Sequence, residues 1–268
     1  MKKFHLQIAF FLGIFLILFH LIPIYRYYTK QYFHNAGSEI FAAVDKSEVT
    51  QNQKIQKLYL GDSVDEQIVS SKNLATNELN LSTNQAISLV GQYILLKNLI
   101  ENKNKIDTVE LRILPMSLSN NLDNQLTYNY FLKPFYKKRN YKNLSGTVIS
   151  QIEKIPFYFL SQYLPVLTSL WSPNTPQPTI NHVFSPINKE YLAKIFLLCK
   201  GHHIYLNFRS SPICESNRQS FLLFKREALK TNSINFKEYF NSIKFYPTNY
   251  FLADQIHFKK EFLTKDLY

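Results

Sequence analysis

The stretch that decides the fold of this 268-residue chain is Leu58-Tyr59-Leu60-Gly61-Asp62-Ser63-Val64. Its apolar residues predict a buried strand, because a short apolar run that stops at a turn residue is typical of one. Gly61 allows a tight reversal, and Asp65, Glu66 and Gln67 suit the positive first turn of a helix. Ser63 is therefore expected where a strand becomes a helix, a position that faces the ligand crevice in open α/β sheets.

A second motif lies near the other end of the chain, at Asp254-Gln255-Ile256-His257. A serine hydroxyl becomes a nucleophile when a neutral imidazole accepts its proton, and a carboxylate fixes the tautomer of that imidazole. Ser63, His257 and Asp254 together supply these groups. The alternative interpretation is a plain strand-to-helix turn with an aspartate or serine cap, since a bare Gly-Asp-Ser also arises by chance.

The two motifs resemble the first and last blocks of the SGNH (GDSL-type) hydrolase superfamily, Gly-Asp-Ser and Asp-x-x-His. The resemblance covers the segment after about residue 55. It implies that Ser63 is the nucleophile, that His257 is the base and that Asp254 orients the base. Neither a metal nor a cofactor is expected.

The middle blocks of the family have no direct match in this chain. No Gly-x-Asn-Asp follows the predicted third strand, and Gly91 lies inside a helical pattern rather than at a strand end. Other polar residues would then have to donate hydrogen bonds to the oxyanion. The candidates follow the second and third predicted strands and are Ser82, Asn84, Ser117, Asn120 and Asn121.

Strands and helices are predicted to alternate through a domain that spans residues 56–268. The predicted strands are 58–60, 78–81, 107–114, 203–208 and 243–245. The predicted helices are 82–102, with a capping box at Ser82 and Gln85, then 186–200, 218–230 and a terminal helix after residue 257. This alternation predicts an α/β, flavodoxin-like three-layer sandwich with a mainly parallel five-stranded sheet.

Residues 116–185 break the alternation with a stretch rich in aromatic residues and proline, which is interpreted as an insertion. Because it follows the third strand, the insertion is expected at the carboxyl ends of the strands, where Ser63 also lies. The aromatic side chains either roof the crevice or pack the insertion onto the domain, since aromatics chiefly supply buried area. Both interpretations stay open.

The first 25 residues predict a membrane anchor, because Ile8 to Tyr25 is an apolar run of about the length that crosses a bilayer. A cleaved signal peptide is the competing interpretation, but bulky residues follow where a small-x-small cleavage site would be expected. Residues 26–55 are predicted to be a linker with a short helix around residues 40–44. The N-terminus is expected in the cytoplasm and the folded domain outside it.

The formal net charge of +12 is compatible with an anionic partner. No nucleic-acid-binding motif accompanies it, so a nucleic acid is not expected. The basic cluster 133–142 is interpreted as a solvated face near a membrane, with binding of an anionic polymer or headgroup as the alternative. The two cysteines, Cys199 and Cys214, are too few for a metal site; they form one bridge, or Cys199 lies on a buried helix face.

These observations predict a membrane-anchored, extracytoplasmic acyl esterase or O-acyltransferase that works through an acyl-serine. The tether resembles the arrangement of SGNH-like proteins in surface-polysaccharide acylation, which implies a surface-glycan or acyl-ester substrate and a membrane acyl-carrier protein as a partner. The alternative is a non-catalytic, membrane-tethered protein that uses the same fold to bind a glycan or a protein. The absent Gly-x-Asn-Asp keeps this alternative open.

Overall fold

The computed structural model describes residues 2–21, 37–70, 72, 74–124, 126–155, 158–161, 184–230 and 236–263. The chain divides into two compact units, Met1–Ser38 and Glu39–Tyr268. The first contains helix α1, Lys2–Leu21, whose large apolar side chains are exposed. Among the described residues, no helix combines the length and the hydropathy that a bilayer crossing requires. The anchor at residues 1–25 stays a prediction.

The second unit is built on a parallel sheet of four strands in the spatial order β2-β1-β3-β4. The strands are β1 Lys54–Gly61, β2 Glu78–Asn80, β3 Lys105–Arg112 and β4 Tyr205–Arg209. In the register, Leu58 of β1 lies between Leu79 of β2 and Val109 of β3. The predicted α/β class with a mainly parallel sheet is confirmed.

Three helices lie in the crossovers between strands that are consecutive in sequence: α3 Ser63–Ser70, α4 Ser88–Glu101 and α7 Pro186–Gly201. Helix α3 leads from β1 to β2, whereas α4 and α7 lead in the opposite direction across the sheet. Because such crossovers are right-handed, α3 lies on one face of the sheet and the other two helices lie on the opposite face. There, Tyr93 and Tyr191 bring α4 and α7 together, with ring centroids 5.5 Å apart.

Further helices precede β1, lie between β3 and α7, or follow β4. They are α2 Ser38–Val49, α5 Lys133–Phe135, α6 Gly146–Ile152, α8 Arg218–Leu229 and α9 Lys237–Asn241. The predicted linker, residues 26–55, contains all of α2, and its side chains Ile40, Ala43 and Val44 are buried in the core. Residues 39–55 therefore pack as part of the second unit.

The prediction of a fifth strand in the main sheet, at residues 243–245, is wrong. Strand β6, Phe245–Tyr246, instead pairs with β5, Ile213–Cys214, in a separate two-stranded parallel sheet. Beyond β4, the backbone N–H of Ser210 donates to the side chain of Ser242 at 3.1 Å. A side chain thus takes the hydrogen bond that a further main-sheet strand would have needed, and the chain leaves the sheet.

The predicted capping box at Ser82 and Gln85 is also wrong. The Ser82 hydroxyl donates to Asp65 Oδ2 at 2.6 Å. The side chain of Asn84 instead caps a 3-10 turn, Gln85–Ile87, by accepting the Ala86 N–H, and α4 begins only at Ser88. After His257, the predicted terminal helix is replaced by a 3-10 turn, Lys260–Phe262, and residues 264–268 lie outside the described residues.

In the insertion, residues 116–185, the described aromatic residues mainly fill the core. Tyr128, Phe131 and Phe135 are buried, and the last two stack with centroids 5.5 Å apart. Residues 162–183 lie outside the described residues, so the interpretation as a roof stays open there. Cys199 and Cys214 are both buried and free, which matches Cys199 on a buried helix face and not a bridge.

Candidate active site

In the sheet, β1 lies between β2 and β3. The connection from β1 leads to β2 on one side, and the next connection crosses back to β3 on the other side, so the turn between β1 and α3 lies where the strand order reverses. Ligand crevices form at this point of an open parallel sheet, outside the carboxyl ends of the strands. Gly61 ends β1 and Ser63 begins α3. A Cβ on Gly61 would lie 2.6 Å from Asp65 Cβ and 2.7 Å from the Arg112 carbonyl oxygen, so a side chain there would push α3 away from the strand ends.

The side chain of Asp62 stabilises this turn through hydrogen bonds. Its Oδ1 accepts the backbone N–H groups of Val64 at 3.1 Å and Asp65 at 3.3 Å, which makes it the cap of α3, and also the Ser211 hydroxyl at 3.1 Å. Its Oδ2 accepts the backbone N–H of Leu114. Burial raises the pKa of Asp62, although each of these hydrogen bonds acts to lower it. One buried carboxyl group thus joins the segments that follow β1, β3 and β4.

Ser63, His257 and Asp254 meet in space, although the first two are separated by 194 positions in the sequence. The Ser63 Oγ lies 2.9 Å from His257 Nε2. The His257 Nδ1 lies 2.7 Å from Asp254 Oδ2. Because the carboxylate accepts from Nδ1, the Nε2 is left to accept the serine proton. The structure therefore brings the three predicted side chains into a hydrogen-bonded chain.

Asp254 also shapes the loop that carries His257. Its Oδ1 accepts the backbone N–H groups of Ile256 at 2.9 Å and His257 at 3.0 Å. Burial alone would raise the pKa of Asp254, but the hydrogen bonds from His257 and from these two N–H groups lower it below the usual value. The same carboxylate therefore folds the loop and orients the imidazole.

Gln67 fastens this loop to helix α3. Its Oε1 accepts the Phe258 N–H at 2.9 Å, and its Nε2 donates to the Phe258 carbonyl at 2.7 Å. Gln67 is four residues after Ser63, so both side chains lie on one face of the helix. Gln67 was predicted only as a residue of the first helical turn and not as a site residue, although its spacing of four from Ser63 was a visible signal.

A cavity of about 380 Å³ opens beside the triad. Ser63 and His257 line it together with Glu39, Glu66, Thr83 and Asn84. Of the five predicted oxyanion donors, only Asn84 is among the described residues that line this cavity. Its Oδ1 accepts the Ala86 N–H at 2.9 Å, which fixes the side-chain amide and leaves Nδ2 to donate elsewhere.

The other four candidates have different environments. Ser117 donates to Gln85 Oε1 at 2.7 Å, and Asn120 Nδ2 donates to the Gln85 carbonyl at 3.0 Å. Ser82 is occupied by its bond to Asp65. Asn121 Oδ1 is buried without a hydrogen-bond partner among the described residues, but it does not line the cavity. The structure does not bring these four side chains to Ser63.

Beneath the turn, Asp65 is fully buried and lies 3.4 Å from Arg112 Nη1. Burial raises the pKa of Asp65 to about 7, against the opposing effects of the Arg112 charge and the Ser82 hydroxyl.

No group of three or more His, Cys, Asp or Glu side chains in the described part of the chain could hold a metal ion.

Comparisons of the chain with protein-family models, with curated proteins and with solved structures found no match.

Proposed function

We propose that the chain is an acyl esterase or O-acyltransferase of the SGNH type that uses Ser63 as its nucleophile. One observation carries the proposal: Ser63 Oγ lies 2.9 Å from His257 Nε2, and His257 Nδ1 lies 2.7 Å from Asp254. This is the geometry in which an imidazole activates a serine hydroxyl. The strand order β2-β1-β3-β4 supports a flavodoxin-like arrangement, in which a crevice lies at this edge of the sheet.

In the first half of the reaction, Ser63 Oγ attacks the carbonyl carbon of an ester while His257 Nε2 takes the hydroxyl proton. The negative charge that develops on the carbonyl oxygen needs preorganised donors. The Ser63 N–H is suited to this role, because the first amide of a helix has no intrahelical acceptor. Asn84 Nδ2 is proposed as the second donor, because Asn84 lines the cavity beside Ser63.

The tetrahedral intermediate then expels the alcohol, which takes the proton from His257 and leaves an acyl group on Ser63. In the second half, His257 deprotonates water or an acceptor hydroxyl, which attacks the acyl carbonyl and releases Ser63. Water gives a carboxylic acid, and an acceptor hydroxyl gives a new ester. In both halves Asp254 stabilises the imidazolium and is not itself protonated.

The setting that we propose is extracytoplasmic and at the cell membrane, with the substrate on a surface glycan and the acyl group supplied by a membrane acyl-carrier protein. The exposed apolar side chains of α1 support an interaction of this end of the chain with lipid. The open cavity beside Ser63 supports a substrate that extends beyond the site.

The test is labelling with a fluorophosphonate, which reacts readily only with an activated serine. We expect the full chain to be labelled and to hydrolyse p-nitrophenyl acetate, and we expect Ser63→Ala and His257→Ala each to abolish both. Folding is checked by circular dichroism of each variant. A folded, unlabelled wild-type protein would contradict the proposal and favour the non-catalytic binding protein.

A further inference from the structure

The cavity beside Ser63 is acidic in a strongly basic chain. The formal net charge is +12, from 31 lysine and arginine residues against 19 aspartate and glutamate residues. Among the described residues that line the cavity, however, the carboxylates Glu39 and Glu66 are present, and none is a lysine or an arginine. The local charge therefore has the opposite sign to that of the chain.

Both glutamates lie in the first turn of a helix. Glu66 is in the first turn of α3, three residues after Ser63, and its Oε1 accepts the Ser70 hydroxyl at 2.9 Å. Glu39 is in the first turn of α2, which the fully buried neighbour Ile40 fixes to the core. Neither carboxylate forms an ion pair with a described residue of the chain.

Thr83 is a second, independent feature of the cavity. The residue is fully buried and lines the same cavity, and its Oγ1 has no hydrogen-bond partner among the described residues. Buried hydroxyl groups are usually paired, so an unpaired one at a cavity wall needs an explanation. A polar atom of a bound molecule would supply the partner.

We infer that the cavity binds a positively charged group, such as a substituted ammonium, on the ester that Ser63 attacks or on its alcohol. The inference rests on the proposed function for the reaction and names the substrate class. Glu39 and Glu66 attract the cation, and the same two charges disfavour an anionic ester. Glu39 is exposed and Glu66 is half-buried, and each is expected to contribute roughly threefold, so both together contribute about tenfold.

The kinetic test uses pairs of esters that differ only in charge. The first pair, acetylcholine and 3,3-dimethylbutyl acetate, places the charge on the alcohol. The second pair, the phenyl ester of trimethylglycine and phenyl 3,3-dimethylbutanoate, places it on the acyl group. In the neutral member of each pair a carbon replaces the charged nitrogen. Each kcat/KM is divided by the rate of hydroxide hydrolysis of the same ester. We expect this normalised kcat/KM to be about tenfold higher for the cationic ester than for the neutral ester in at least one pair. The double variant Glu39→Gln, Glu66→Gln should lose the difference.

A binding test gives a readout that does not need turnover. With Ser63→Ala protein, choline should bind more tightly than 3,3-dimethylbutan-1-ol in ligand-observed NMR, and the double variant should lose the difference. Glu153→Gln, an exposed carboxylate that does not line the cavity, is the matched control. Raising the salt concentration should weaken the preference, because exposed charges are screened.

The outcomes separate the two proposals. If neutral esters are hydrolysed without any charge preference, or if the preference survives in the double variant, the inference is overturned and the esterase proposal stands. If neither labelling nor hydrolysis occurs but choline binds through the two glutamates, the esterase proposal fails and the cation site stands. If choline shows no preference over its neutral analogue and both ester pairs react alike, the cation site is wrong.

Discussion

Replacing Gln67 with alanine tests whether the histidine loop depends on its attachment to helix α3. The side chain makes two hydrogen bonds with the backbone of Phe258, the residue next to His257. Gln67→Ala removes both bonds without touching Ser63, His257 or Asp254. The expected result is slower acylation, because the imidazole would spend less time beside the serine.

The size of the effect follows from these contacts. Two hydrogen bonds of about 1 kcal/mol each hold the closed loop, so their loss lowers its population by up to roughly 30-fold. Other contacts remain, since Phe251 and Phe258 form an antiparallel bridge with ring centroids 4.3 Å apart. We therefore expect kcat to fall by about 3-fold to 30-fold, with little change in KM.

The assay is the rate of fluorophosphonate labelling, together with kcat and KM on p-nitrophenyl acetate. Gln56→Ala is the matched control, because the exposed Gln56 also uses its side chain in a hydrogen bond, to Asn77 at 2.6 Å, but lies on β1 far from the loop. The control should label at the wild-type rate. Labelling of folded Gln67→Ala protein within twofold of wild type would refute the reasoning.

Three further outcomes are expected. Asp254→Asn should keep the loop but lower kcat at least a hundredfold, because an amide no longer favours the His257 tautomer that accepts the serine proton; retained kcat would contradict this role. Gly61→Ala should lower the free energy of unfolding by about 1–3 kcal/mol in denaturant titrations, since its Cβ would lie 2.6 Å from Asp65 Cβ. Because burial raises the pKa of Asp65 to about 7, this group binds a proton in the folded protein but not in the unfolded chain between about pH 4 and 7. The free energy of unfolding of the wild-type protein should therefore fall as the pH rises across this range. Asp65→Asn should remove that part of the decline, on the order of 2–4 kcal/mol between pH 4 and pH 7.5, and unchanged pH dependence in the variant would disprove it.

The parts of the fold that the sequence predicted are those with local causes. The apolar run before Gly61 predicts β1, and the acidic residues after Ser63 predict α3, because each signal lies within a few residues of the element it specifies. The loop of His257 is also local, since Asp254 folds it through two backbone hydrogen bonds. Such patterns are readable without knowledge of distant contacts.

The parts that could not be predicted depend on contacts between distant segments. Strand 245–246 pairs with 213–214, while the Ser242 side chain accepts the Ser210 N–H beside β4, and no local pattern indicates either contact. The positions of the oxyanion candidates also depend on contacts between distant segments. Ser117 and Asn120 both bind Gln85 rather than facing Ser63, because the segments that follow β2 and β3 pack against each other.

The exposure of the triad bears on the fate of the acyl group on Ser63. The side chains of His257 and Asp254 are 34% and 44% exposed, so the described residues leave the site open to solvent. Transfer to a sugar hydroxyl competes with hydrolysis unless water is excluded. In the reaction that we propose, water would therefore reach the acyl-serine of the isolated chain, and hydrolysis is the expected second half-reaction. Transfer requires a bound acceptor or partner that covers His257, and the cavity lined by Glu39 and Glu66 is where such an acceptor would lie.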